Sequence, residues 1–281
     1  MSADGRFLPF REFRTSYSVV GEDSDLERLP LLVLHGGPGS THLALKGLGA
    51  LSEQGRRVVF YDQLGSGESD RPDDPSLWTV ETFVDQLRSV REGLGLEWIH
   101  LLGSSWGGML ALEYALTQPE GLASLVLNST PTSAPRWAKE AKRLHDELPP
   151  DLGAEEQENE FFRRHICRLE PQPEVLKRSR EQFGKQVYET MWGPNEFTVT
   201  GTLEDWDVID RLGEIRVPTL ITSGRYDECT PALVEPLHRG LEGSEWVLFE
   251  NSAHMPYLEE PERYLEVVGG FLERVEAQMN A

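Results

Sequence analysis

Leu101-Leu102-Gly103-Ser104-Ser105-Trp106-Gly107-Gly108 is an apolar strand that ends in a glycine turn and opens directly into a helical pattern. In a Gly-x-Ser-x-Gly frame Gly103 and Gly107 flank Ser105, because strand and helix pass too closely there to leave room for a Cβ. A serine on so sharp a corner carries its hydroxyl above the sheet, and the amide of Trp106 is left at a helix N-terminus, free to donate to an oxyanion. Ser105 is therefore a candidate nucleophile. A short pattern of small residues also arises by chance as a plain glycine turn, so the rest of the chain decides.

Working outward, the nearest earlier buried-strand pattern is Leu31-Leu32-Val33-Leu34, apolar on both faces as in a parallel strand. It runs into His35-Gly36-Gly37-Pro38-Gly39, a backbone-rich loop whose amides can turn inward, with Gly37 as the second oxyanion donor beside Trp106. A phosphate cradle is the weaker reading, since no Gly-Lys-Ser/Thr follows. A further strand is expected at Thr15–Val20, separated by a polar turn over Glu22–Arg28. Another, Arg57–Tyr61, leads into Asp62-Gln63-Leu64-Gly65-Ser66-Gly67, which reads as a structural loop because no third glycine opens a helix. Val80, Phe83, Val84, Leu87, Val90 and Leu94 recur at helical spacing, so this stretch is an amphipathic helix laid on the sheet. Beyond the elbow come the helix Trp106–Leu116, stopped by Pro119, and the strand Leu122–Leu127. Strand patterns return at Val217–Gly224 and Trp246–Phe249, and a last helix runs from Pro261 to about Met279. This alternation predicts a mostly parallel central sheet flanked by helices. Between its halves, residues 133–205 are charged, aromatic-bearing and free of buried-strand pattern, which predicts an inserted helical cap subdomain on a core of 1–132 and 206–281.

Composition bounds the function. At 281 residues the chain can bury a substantial core. A formal net charge of −21 argues against nucleic-acid or anionic-membrane partners, which need concentrated basic surface. Met1–Val20 holds Arg6, Arg11 and Arg14 and no apolar run resembling a signal peptide, and no stretch is long enough for a bilayer, so the expected location is the cytoplasm. Cys167 and Cys229 match no zinc or redox spacing and read as reduced thiols. The expectation is no metal and no cofactor. Nothing in the sequence sets an oligomeric state, and a monomer is compatible with it.

Two residues complete a constellation with Ser105. Asp227 follows the strand ending at Gly224, and His254 follows the strand ending at Phe249. Nucleophile, acid and histidine in that chain order, each just past a strand, is the arrangement of an α/β-hydrolase fold. His254 would accept the serine proton and pass it to the leaving group, while Asp227 would hold the imidazole tautomer. A serine nucleophile excludes the aspartyl chemistry of epoxide or haloalkane hydrolysis, and points to acyl transfer at a carbonyl.

His35-Gly36-Gly37-Pro38-Gly39, Gly103-Ser104-Ser105-Trp106-Gly107-Gly108, Gly193-Pro194-Asn195-Glu196-Phe197 and Tyr226-Asp227-Glu228 together resemble the proline iminopeptidases, a branch of the α/β-hydrolases. The first motif is shared with other branches; the Gly-Pro-Asn-Glu-Phe segment and the Asp-Glu pair are far more specific. The resemblance implies that Glu196 and Glu228 bind the free α-amino group of a substrate and that the cap encloses its first residue. A protonated amine entering a partly desolvated pocket does need compensating carboxylates. The expected function is release of an N-terminal proline, or another small or apolar residue, from short peptides through an acyl-enzyme, with cap aromatics such as Trp192 in the substrate pocket. The alternatives are an amidase stripping an aminoacyl group from a nonpeptide metabolite, a general esterase, and a non-catalytic binding protein on the same fold.

Overall fold

A computed structural model describes residues 6–21 and 28–281; residues 1–5, and 22–27 of the turn expected over Glu22–Arg28, lie outside the described residues. The strands are β1 (Arg6–Phe10), β2 (Phe13–Val20), β3 (Leu31–Leu34), β4 (Val58–Tyr61), β5 (Ile99–Ser104), β6 (Leu122–Asn128), β7 (Thr219–Gly224) and β8 (Glu245–Phe249). They form one sheet in the order β1-β2-β4-β3-β5-β6-β7-β8. From β4 to β8 every pairing is parallel; β1 with β2, and β2 with β4, are antiparallel. The sheet is thus mostly parallel, as expected, with an antiparallel hairpin added at one edge.

Strand periodicity explains how two cores share one sheet. Successive side chains point to opposite faces, so Leu32 and Leu34 of β3 join one apolar cluster while Leu31 and Val33 join the other. The first cluster takes in Phe83, Leu87 and Val90 from α1 (Val80–Gly93) and Met109 and Leu110 from α2 (Trp106–Leu116). α1 begins at Thr79, whose hydroxyl accepts from the Thr82 amide at 3.2 Å, and shows the sheet one apolar face. α2 is buried almost all round because it packs against β3, β5 and β6, against α1, and against the turn Ile209–Glu214. The second cluster is closed by a 3₁₀ segment at His42–Gln54, to which the sequence pattern assigns no element, and later by the C-terminal helix. Each such aliphatic or aromatic side chain removed from water contributes on the order of 1.5–3 kcal/mol before the entropy of ordering is counted.

Between β6 and β7 lie α3 (Ala134–Asp146), α4 (Ala154–Phe161), a wide turn at Phe162–Ile166, α5 (Glu174–Glu181) and α6 (Lys185–Met191). They meet the sheet's carboxyl edge through backbone bonds: the Gly184 amide donates to Gly39 at 2.7 Å, and the Gly67 amide to Gln182 at 3.0 Å. After β7 come α7 (Pro231–Gly240), α8 (Pro256–Glu259) and α9 (Pro261–Met279). α9 supplies Val268, Phe271 and Leu272 to the second cluster, and its Glu276 accepts from the fully buried Arg56 at 2.8 Å. No helix among the described residues is long and apolar enough to cross a membrane.

Candidate active site

Ser105 stands between β5 and α2 with φ 56° and ψ −121°, a left-handed conformation that a non-glycine residue adopts only when its surroundings impose it. The surroundings are tight. A Cβ on Gly103 would run into the Gly107 carbonyl, and one on Gly107 into the Leu34 carbonyl, which is why the elbow needs both glycines. The Ser105 amide donates to Asn128 at 2.9 Å, fastening the corner to β6. Trp106, as the first residue of α2, has no carbonyl within the helix to receive its N–H. The loop after β3 passes directly over this corner: a Cβ on Gly36 would lie 3.1 Å from the Ser104 carbonyl and 3.2 Å from the Ser105 Cβ.

Asp227 and His254, 27 residues apart in the chain, are brought into contact by the parallel pairing of β7 and β8. His254 Nδ1 lies 2.7 Å from Asp227 Oδ1, and the same oxygen accepts from the Cys229 amide at 2.8 Å. The histidine main chain is also held, its carbonyl accepting from Asn128 at 3.3 Å and from Ser129 at 3.1 Å. Burial opposes a charge on this ring, but the charge and hydrogen bond of Asp227, with help from Glu196 and Glu259, outweigh it and hold the imidazole above its ordinary value. Ser105 and His254 both line a cavity of about 290 Å³.

Glu196 and Glu228 line the same cavity. Glu228 is 2 % exposed, its Oε1 is 3.8 Å from His254 Nδ1, and its Oε2 finds no hydrogen-bond donor among the described residues. Burial first, then the charges of Glu196 and Asp227, push its carboxyl well above the usual carboxylate range. Burial also raises Glu196, while the Tyr188 phenol and the His254 ring pull the other way. Two carboxyl groups beside a third, one with an acceptor oxygen free of a donor among the described residues, are an arrangement that favours a cation bearing N–H donors.

The helical segment between β6 and β7 supplies parts that no sequence pattern announced. Trp192, expected to touch substrate, is instead a layer behind the cavity: it packs edge-on against Trp137 at 5.7 Å. Its indole donates to the Glu196 carbonyl at 3.4 Å, and the Trp137 indole donates to the same oxygen at 3.2 Å. The two tryptophans thus orient Glu196 from outside. The aromatic side chains on the cavity wall are Phe162, Phe183, Tyr188 and Tyr257. The turn at Phe162–Ile166 reaches both catalytic-edge loops, its His165 carbonyl accepting from the Glu228 amide and its Ile166 carbonyl from the His254 amide, each at 3.2 Å. Main-chain carbonyls carry no residue signature, so only the aromatic content of the cap hinted at this wall.

The geometry has a pH consequence. If His254 serves as general base it must be neutral, so turnover is expected to fall as pH falls through its pKa, which is raised from the ordinary 6.5. On 4-nitrophenyl acetate, which has no amine to confuse the titration, the acid limb of kcat/KM is expected above that value, and in Glu196→Gln it moves down because one charge favouring imidazolium is gone.

A family model described as the alpha/beta hydrolase fold matches residues 30–261. A proline iminopeptidase of Clostridium botulinum is 40% identical over 287 residues, covering 95% of this chain and 97% of that protein. The crystal structure of a proline iminopeptidase from Mycobacterium smegmatis superposes with a TM-score of 0.92 at 38% identity, covering 98% of this chain and 99% of the other. That of VinJ also gives 0.92, at 40% identity, covering 97% of this chain and 99% of its own.

Proposed function

This chain belongs to the proline iminopeptidase family of α/β hydrolases, and from that premise we propose that it is a serine aminopeptidase releasing N-terminal proline, or another small or apolar residue, from short peptides. The substrate's α-ammonium sits against Glu196 and Glu228, and its first side chain lies among the aromatic residues of the 133–205 cap. The carbonyl lies over Ser105 with its oxygen between the amides of Gly37 and Trp106. Ser105 attacks as His254 Nε2 takes its proton; the tetrahedral oxyanion is held by the two amides. His254 then protonates the departing peptide amine, leaving a prolyl ester on Ser105, and water activated by the same ring releases proline. Asp227 keeps Nδ1–H pointed at itself and offsets the imidazolium charge.

One observation carries this reading: a buried carboxyl with an unpaired oxygen, Glu228, 3.8 Å from the candidate base and on the same cavity wall as Glu196. A prolyl ammonium has two N–H donors, one for each carboxylate. As it binds, its positive charge lowers the raised pKa values of the pair. The cavity suits one small residue rather than a long chain. The same anchor serves any aminoacyl amide, and the full-length likeness to proline iminopeptidases favours peptides over a nonpeptide metabolite. A cytoplasmic location is part of the proposal.

The test is a leaving-group and residue panel. Prolyl dipeptides varied at the second residue are expected to share similar kcat/KM values and to exceed leucyl and acetylprolyl counterparts. A strong preference for one bulky nonpeptide amine would instead establish the metabolite amidase.

A further inference from the structure

The two amides that would hold the oxyanion come from separate segments, one after β3 and one at the start of α2, and a single buried side chain touches both. Gln63, 1 % exposed, follows β4 in the loop that reads from sequence as merely structural. Its amide nitrogen Nε2 donates to the His35 carbonyl at 2.9 Å, and its Oε1 accepts from the Trp106 indole N–H at 2.7 Å. Its backbone N–H donates to His35 Nε2 at 2.9 Å. An imidazole that accepts at Nε2 carries its proton on Nδ1, and His35 Nδ1 lies 2.9 Å from the Gly36 carbonyl, to which it donates. That carbonyl shares a peptide plane with the Gly37 N–H. Holding the oxygen of the plane sets the direction of the N–H at its other end, and a hydrogen bond at one end polarises the donor at the other. Burial lowers the His35 pKa to about 4, so the tautomer that makes this possible persists at neutral pH.

We propose that Gln63 is a positioning residue for the reaction: its side chain ties the His35 main chain, from which the Gly37 amide follows, to the Trp106 indole, while its backbone N–H sets the His35 tautomer, so that both donors address one oxygen. The inference rests on the functional reading above for its substrate, but not for its geometry. Gln63 touches no substrate. Its contribution is confined to the moment when the carbonyl oxygen becomes an anion, and it has no part in anchoring the amine.

The experiment compares Gln63→Met and Trp106→Phe, singly and together, with wild type. Prolyl 4-nitroanilide and 4-nitrophenyl acetate are the substrates, and prolyl boronic acid and pyrrolidine the inhibitors. The boronate forms a tetrahedral adduct; pyrrolidine fills only the amine anchor. Losing one oxyanion donor outright costs about 10²–10³ in kcat, so misaiming is expected to cost roughly 10- to 100-fold. In Gln63→Met, kcat on both substrates and affinity for the boronate fall together by that factor, while KM for the anilide and pyrrolidine inhibition stay within about twofold. The double variant is expected to be no worse than Gln63→Met, since both changes break one brace. Equal losses for boronate and pyrrolidine would show general damage to the site and overturn the proposal, as would an unchanged kcat or additive effects. If Gln63→Met does not fold, Trp106→Phe decides alone: it keeps the His35 bonds and must still lose kcat on both substrates with pyrrolidine inhibition intact. Failure of the functional reading looks different, because wild type would then cleave the ester and not the anilide, and the ester would still report on the brace.

Discussion

Ser105→Ala is expected to lower kcat on prolyl 4-nitroanilide by on the order of 10⁴–10⁶-fold and to abolish labelling by a fluorophosphonate. The protein should remain folded. Alanine keeps the Cβ that the elbow already accommodates at φ 56°, and the Ser105 amide bond to Asn128 is made by the backbone. The change in unfolding free energy should therefore stay below about 1 kcal/mol, a shift of a few degrees in Tm at this size. Ser104, its neighbour, also lines the cavity, but its hydroxyl accepts a hydrogen bond from the Asn128 side chain at 3.1 Å. Burst kinetics with a chromogenic ester check the point directly: wild type gives a burst equal to the enzyme concentration, and the variant gives none. A variant with undiminished turnover would remove Ser105 from the mechanism.

The second large effect falls on the amine anchor. Removing one partner of a buried, hydrogen-bonded charge pair costs about 2–5 kcal/mol, so Glu228→Gln should reduce kcat/KM for prolyl anilide by roughly 30- to 5,000-fold. Most of that loss reflects an ammonium left without its charge partner rather than a damaged base. The position beside Asp227 makes the control essential: Glu228 Oε1 is 3.8 Å from His254 Nδ1, so the substitution also changes the field at the base. Hydrolysis of 4-nitrophenyl acetate, which needs the base and not the anchor, is expected to fall at least tenfold less than anilide cleavage. Glu196→Gln should show the same pattern more weakly, since Glu196 is partly exposed while Glu228 is buried. Equal losses on both substrates would assign these glutamates to the base instead of the amine.

How much of this was legible in the chain follows from how each feature is encoded. β3, β5, β6 and β7 are buried along their whole length, so each shows as a short largely apolar run, unbroken in β3 and interrupted by polar residues in the others. The elbow declares itself because only glycine can occupy 103 and 107. β1, by contrast, has no strand signature in the sequence: Arg6–Phe10 is an edge strand, mostly exposed, with Pro9 inside it, and such a strand tolerates a missing N–H without any alternation to betray it. The 3₁₀ segment His42–Gln54 carries apolar residues in a spacing that fits neither period cleanly.

The site divides along the same line. Candidate residues whose proposed roles use side chains, such as Asp227, His254 and the two glutamates, stand in motifs. Those that act through main-chain atoms, such as the His165 and Ile166 carbonyls, leave no trace in the sequence. Trp192 shows the limit of reading chemistry from composition: an aromatic residue beside a motif reads as a pocket wall, whereas its indole N–H is committed to the Glu196 carbonyl and its face to Trp137. Gln63 shows the converse, a residue in a loop of ordinary appearance whose side-chain amide bonds both the His35 carbonyl and the Trp106 indole.

The claim on which the account turns is that an acidic wall recognising ammonium and a serine hydrolase centre face one cavity. The most direct measurement is the ratio of kcat/KM for prolyl 4-nitroanilide to that for its N-acetylated form on the wild-type enzyme. A free amine is expected to be favoured by roughly 100-fold or more, the scale of a buried charge pair; equal turnover of the two would contradict the account.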